Sequence, residues 1–237
     1  MSPEQETEQP APVELDLPDL PDETSVTIDT AIGRIAFVKI WPDHTEAPHK
    51  DADGMWKPYS FSTGHSNYKH PRDIGFEQTG ALLTPNIGLR RKLKVGLAFY
   101  LSYFEHGSCR WMLKNGPIPP GVEFQWDGVR LAGLLVWEEP PENMGAKTYE
   151  DRMKDAQQFL DVYNAWCNGE TYGYTVEVYK LRYSPVQGKY YDRLSDYRHD
   201  EPLYADTLGT YYGWDDLKSG IAESLKTAAR VLAGGSP

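Results

Sequence analysis

The sequence predicts an α+β fold, in which an antiparallel sheet carries two main amphipathic helices on one face and follows a disordered acidic tail. Short runs rich in β-branched and aromatic residues precede the first helical pattern and separate it from the second. Two longer segments repeat apolar residues every three or four positions, as a helix with one buried face does. With 40% hydrophobic and 13% aromatic residues in 237, the chain can bury a sizeable core.

The negative charge is concentrated at the start of the chain. The formal net charge is −11, and the first 30 residues hold nine acidic residues and neither Lys nor Arg. This composition predicts a disordered acidic tail over residues 1–24 and a single α+β domain over residues 25–237. Because the remainder is nearly neutral, a folded mimic of DNA, which needs a surface covered by carboxylates, is disfavoured.

The strand predictions rest on alternation and on turn residues. "SVTIDTAIGRIAFVKIW" (25–41) predicts a hairpin, and the region 42–88, rich in Gly and Pro, is predicted to be irregular. An irregular region of that length hints at a functional surface or at short hidden strands. "LKVGLAFYLSYF" (93–104) alternates as a half-buried strand does, and "VRLAGLLVW" (129–137) is apolar on both faces, as a central strand is.

The clearest helix is predicted from about Thr148 to Cys167, with Thr148 as its N-cap and Asn168-Gly169 as its stop. A strand is predicted over residues 171–183. The last helix is predicted over residues 215–233, with acidic residues in its first turn and one apolar face.

The segment "YFEHGSCRW" (103–111) raises the question of a Cys–His catalytic pair. Alternation favours a hairpin with His106-Gly107 as a two-residue turn, which would place Phe104 opposite Cys109. The side chain of His106 would then point away from the tip of the hairpin, whereas the Cys109 thiol would lie on one face of the strand pair. We therefore expect His106 to act as a presented side chain and not as the base of a nucleophile.

The chain has two cysteines, Cys109 and Cys167, and neither belongs to a CxxC pair. Two cysteines in a chain of this length do not predict a disulfide framework, and a reducing cytosol fits them. Cys167 lies on the apolar face of its predicted helix, so we expect it to be a core residue.

Four histidines fall in the irregular region in two H-x4-H pairs, with aspartates nearby. The residues are His44, His49, His65 and His70, with Asp43, Asp51 and Asp53. Because this spacing is not a recognised ligand signature, they are interpreted as surface histidines. The sequence indicates no cofactor, although metal binding by these four stays open.

The basic residues concentrate in "LRRKLK" (89–94) and "NYKHPRD" (67–73), near several aromatic residues. Such a combination can bind single-stranded nucleic acid, but the body is net acidic and contains no known nucleic-acid-binding motif. Nucleic acid is therefore the less favoured partner. No apolar stretch approaches the length of a membrane span, and the first residues do not resemble a secretory signal. We expect an intracellular protein without a membrane partner.

Common catalytic motifs are absent from the sequence: it has no GxxxxGK[ST], no strand-linked GxGxxG, no GxSxG and no HExxH. The sequence therefore disfavours the common classes of hydrolase and of nucleotide-dependent enzyme.

Four pieces from residue 103 onward resemble, in order and spacing, a widespread family of small phage and mobile-element proteins. They are "YFEHG" (103–107), "QWDGVRLAGLLVW" (125–137), "YNAWCNGETYGYTVE" (163–177) and "GTYYGWDD" (209–216). The family has a Ser-Cys-Trp-Gly box where this chain has Thr-Leu-Gly-Thr (207–210), and residues 178–207 read as an insertion. The resemblance implies a phage protein made in the host cytoplasm, and it brings no catalytic residues.

These patterns favour a non-enzymatic protein that binds a host factor, with a role in counter-defence or host takeover. The candidate binding residues are His106, Trp126, Asp127, Tyr172, Tyr174, Tyr212 and Trp214. The alternatives are a nucleotide-binding or metal-dependent enzyme, which would use the same aromatic and acidic residues with His106 as acid or base, and a virion or assembly protein. The oligomeric state stays open.

Overall fold

The structure is a computed structural model that describes residues 24–29, 32–51, 56–79, 82–118, 120–122, 124 and 127–234. The predicted acidic tail lies outside these residues, except for Thr24, which begins the first strand. The predicted single domain contains two compact units: residues up to Asp43 join those from Tyr172 onward in the first, and His44–Thr171 form the second.

Short runs of strands are separated by helices along the described part of the chain. The strands are β1 (Thr24–Asp29), β2 (Arg34–Pro42), β3 (Trp56–Ser60), β4 (Phe76–Thr79), β5 (Leu82–Pro85), β6 (Ala98–His106), β7 (Ser108–Leu113), β8 (Gly128–Trp137), β9 (Thr171–Lys180), β10 (Tyr183–Ser184), β11 (Lys189–Tyr190) and β12 (Tyr204–Tyr212). The helices are α1 (Pro48–Asp51), α2 (Ile87–Val95), α3 (Tyr149–Cys167) and α4 (Trp214–Leu232).

The first unit is a four-stranded sheet in the order β1-β2-β9-β12. The predicted β1–β2 hairpin is confirmed, and Gly33 takes the left-handed backbone conformation at its turn, with φ of 65°. Helix α4 packs on one face of the sheet, where Val38, Val176 and Ile221 are buried together. Strand alternation turns Phe37 to the opposite face.

Residues 178–207, which read as an insertion, include the end of β9, the β10–β11 ribbon, a 3-10 helix (Leu194–Tyr197) and the start of β12. Tyr197 is fully buried and contacts the Phe37 ring at 5.4 Å between centroids. This segment therefore covers the face of the sheet that α4 leaves open.

The second unit is a four-stranded sheet in the order β3-β8-β6-β7, with the predicted central strand β8 inside it. Helix α3 packs on one face, and α2 with β4 covers part of the other. The cap prediction is confirmed, because the Thr148 hydroxyl accepts from the backbone N–H of Asp151. Asn168 ends the helix, and Gly169 follows with φ of 72°.

The α+β prediction is confirmed, but one sheet with both helices was expected. The described strands instead form two four-stranded sheets, each with one long helix, and two two-stranded sheets, β4-β5 and β10-β11. Alternation shows which face of a strand is buried and does not show which strands pair. The predicted irregular region 42–88 contains α1, β3, β4 and β5, so its short hidden strands are present.

The predicted strand over residues 93–104 was wrong at its start, because Leu93 and Val95 belong to α2. The Asn86 side chain caps this helix, and Gly96 ends it with φ of 74°. The basic segment 89–94 is therefore helical. The strand predicted over 171–183 ends at Lys180.

No helix among the described residues is long and apolar enough to cross a membrane.

Candidate functional site

An open groove of about 390 Å³ lies on the face of the second sheet opposite α3, beside the β6–β7 hairpin. Tyr103 and Trp111 turn toward α3, so strand alternation turns the side chains of Phe104 and Arg110 to the groove face. The described lining residues are Phe104, His106, Ser108, Arg110, Pro120, Gly121, Val122 and Asp127.

A second cavity of about 240 Å³ lies on the same sheet face and is lined by Ser102, Met112 and Arg130 among others. The Arg130 guanidinium lies 4.9 Å from the centre of the Phe124 ring. Gly128 permits this contact, because a Cβ there would lie 2.6 Å from the Phe124 ring. The two cavities give the sheet face a basic and aromatic surface.

The side chains that line the cavities carry more positive than negative charge. Arg110, Arg130 and Lys114 are exposed cations, and Lys114 lies 5.5 Å from the centre of the Tyr100 ring. Asp127 is the one acidic side chain among the described lining residues, and it pairs with His106. The surface therefore suits a ligand that bears carboxylate groups.

The structure brings two predicted residues together, since His106 Nδ1 lies 2.9 Å from Asp127 Oδ2. The His106 side chain is 77% exposed and that of Asp127 43% exposed. A pair so open to water is a weak surface interaction, and it lacks the burial that makes a His–Asp pair an effective acid–base device. Its position fits a charged rim of the groove.

The predicted register of the hairpin was wrong by one residue, because Glu105 and not Phe104 lies opposite Cys109. Gly107 alone separates the strands, with φ of 75°, where a two-residue turn was expected. Cys109 lies on the α3 face and His106 lines the groove on the other. This geometry agrees with the expectation that the two do not form a catalytic pair.

Three aromatic candidates of the first unit, Tyr172, Tyr174 and Trp214, are packing residues. Tyr172 and Trp214 contact edge to face at 5.8 Å between centroids. Tyr174 is 1% exposed, and its hydroxyl donates to Asp206 at 3.0 Å. The backbone N–H of Tyr212 donates to Asp216 at 3.2 Å, which holds the start of α4.

Trp126 lies outside the described residues. Asp127 belongs to the second unit, whereas the tyrosine candidates belong to the first. Among the described candidate residues, His106 and Asp127 line the groove. The tyrosines and Trp214 lie in the first unit.

Three of the four histidines of the region 42–88 make different local contacts. The His49 ring packs against Tyr163, and the His65 ring lies 4.7 Å from the Tyr103 ring centre and 5.2 Å from that of Trp111. The His70 side chain caps a 3-10 helix. In the described part of the chain, no group of three or more His, Cys, Asp or Glu side chains could hold a metal ion.

Sequence reasoning missed Phe104, Arg110, Phe124 and Arg130. The expected register paired Phe104 with Cys109, which placed Phe104 and Arg110 on opposite faces, whereas the structure pairs these two residues. Phe124 and Arg130 gave no signal in the sequence, because their contact depends on how the chain returns to β8.

Comparison with known proteins gave no further relationship: no protein-family model matches the chain, and neither does any curated protein or any solved structure.

Proposed function

We propose that this chain is a non-enzymatic binding protein that takes an acidic, extended segment of a partner protein onto the open sheet face of its second unit. The observation that carries the proposal is the placement of Arg110 and Arg130 on that face, beside Phe104 and Phe124. Guanidinium groups bind carboxylates through two parallel hydrogen bonds, and aromatic rings give contact area at a low entropic cost.

The shape of the surface favours an extended ligand. The two cavities follow the β6–β7 hairpin, from His106 and Ser108 at its tip to Met112 further along. An extended peptide repeats its side chains every two residues, so acidic and apolar side chains can alternate between the arginines and the rings. Asp127 at one end would repel a second carboxylate there and fix the direction of binding.

Nucleic acid is the less favoured ligand for the same surface. Binding along a nucleic acid backbone depends on many cations, because each neutralised phosphate contributes through counterion release. The described lining supplies Arg110, Arg130 and Lys114, and it includes the carboxylate of Asp127.

The exposure of His106 to water favours a binding role over a catalytic one. The resemblance to phage and mobile-element proteins supports a host factor as the partner and the host cytoplasm as the place of action. A role in counter-defence or host takeover follows from that resemblance.

Fluorescence anisotropy with labelled short peptides tests the proposal. We expect an acidic peptide with interspersed aromatic residues to bind at least about tenfold more tightly than its basic counterpart. The double variant Arg110→Glu/Arg130→Glu should lose this binding. The matched control Arg91→Glu/Lys154→Glu makes the same charge change at exposed helix positions and should keep it.

Equal loss in both double variants, or tighter binding of a single-stranded oligonucleotide than of the acidic peptide, would overturn the proposal.

A further inference from the structure

The only two cysteines of the chain meet in the second unit, although 57 residues separate them in the sequence. Cys109 lies on β7 and Cys167 is the last residue of α3. The fold places them side by side, because the residue after Cys167 is hydrogen-bonded to the backbone of Cys109, and both thiols are free. Each side chain is only partly buried, so small reagents can reach the pair.

Neighbouring contacts hold the two thiols in place. The side chain of Asn168, next to Cys167, accepts from the backbone N–H of Cys109 at 2.8 Å and donates to its carbonyl at 3.0 Å. Strand β7 and the end of α3 are therefore held together at the two cysteines.

The two thiols differ in acidity. The interaction with Cys167 lowers the pKa of Cys109 below that of an ordinary cysteine. The pKa of Cys167 is raised, first by its interaction with Cys109 and then by burial. A lower pKa gives a larger thiolate fraction at neutral pH, and the thiolate is the nucleophile.

We propose that Cys109 and Cys167 form a thiol–disulfide exchange site that takes small disulfides such as oxidised glutathione. The Cys109 thiolate attacks one sulfur of the glutathione disulfide, and the S–S bond breaks to release one glutathione thiolate. Cys167 then loses its proton to water and attacks the mixed disulfide at the Cys109 sulfur. The second glutathione leaves, the Cys109–Cys167 disulfide forms, and two electrons have passed from the protein to the reagent.

The test uses the full chain with oxidised glutathione, followed by intact mass measurement and non-reducing peptide mapping. The wild-type chain should lose the mass of two hydrogen atoms, yield a linked peptide that contains both cysteines, and regain its mass with a reductant. Cys167→Ser should stop at a stable glutathione adduct on Cys109. Cys109→Ser should form an adduct on Cys167 much more slowly.

A wild-type chain that collects two glutathione adducts, or that does not react, would overturn the proposal. If a variant does not fold, a second measurement on the wild-type chain still tests the proposal. In it, alkylation by iodoacetamide at neutral pH is followed by peptide mapping, and Cys109 should be modified several-fold faster than Cys167. Equal rates, or faster reaction at Cys167, would contradict the assigned roles.

Discussion

The side-chain amide of Asn164 pairs with both backbone groups of Trp111, accepting from its N–H at 2.7 Å and donating to its carbonyl at 2.9 Å. Asn168 does the same for Cys109. Four residues of a helix advance about 6 Å, and two residues of a strand advance about 6.6 Å. The amides of Asn164 and Asn168 therefore match alternate residues of β7. Helix α3 thus occupies the edge of β7 where another strand could pair.

Replacing Asn168 or Asn164 by alanine should destabilise the protein by about 1–3 kcal/mol each, because two backbone groups of an edge strand lose their partners. Urea unfolding measures the change. Gln158→Ala, at an exposed position of the same helix, is the control and should change stability by less than about 0.5 kcal/mol. If the asparagine variants were as stable as this control, the amides would not hold the edge.

Gly173→Ala should destabilise the protein by about 1–3 kcal/mol, since an added Cβ would lie 2.2 Å from the Trp41 ring on the neighbouring strand. Thermal unfolding gives the change. Gly145→Ala, where an added Cβ meets nothing within 4 Å, is the control.

The role of Trp41 can be isolated with a double variant. In a Trp41→Ala background the penalty of Gly173→Ala should largely disappear, because the clash has gone. A penalty that persists unchanged would show that the glycine is needed for another reason.

Alkaline pH should lower the stability of the first unit through its tyrosines. Burial, with help from the Glu177 carboxylate, raises the pKa of Tyr179 from 10.0 to about 12. A raised pKa in the folded state means that stability is fully present below the unfolded value of 10 and is lost as pH rises through about 12. Urea unfolding in steps across this range should show the decline.

Tyr179→Phe should make that decline shallower, because phenylalanine has no proton to lose. An identical pH dependence in wild type and variant would contradict the assignment.

His106→Asn should change stability by less than about 1 kcal/mol, since its contact with Asp127 is an exposed pair. Its effect on binding of the acidic peptide should be smaller than that of Arg110→Glu, because His106 lies at the rim of the groove. Anisotropy and urea unfolding check the two expectations. A large loss of stability would mean that the pair is structural.

Local signals predicted the long helices and several strands. Thr148 with its cap, and the apolar face of α4, are set by residues close in sequence, which explains why both helices were found. Helix α2 was missed because Leu93 and Val95 happen to continue the alternation of the strand that follows.

The site was less predictable than the elements. The His106–Asp127 contact joins a hairpin tip to the connection before β8, and the Cys109–Asn168 contact joins β7 to the end of α3. Contacts between residues this far apart in sequence depend on which strands pair and on where a helix packs. Periodicity along one segment does not contain that information.

Affinity purification from a cell lysate, with quantitative mass spectrometry, tests the proposed binding role most directly. The wild-type chain and Arg91→Glu/Lys154→Glu should enrich the same partner, and an acidic segment of that partner should bind the purified chain. Arg110→Glu/Arg130→Glu should reduce the enrichment at least about tenfold. Undiminished enrichment by the groove variant would contradict the account.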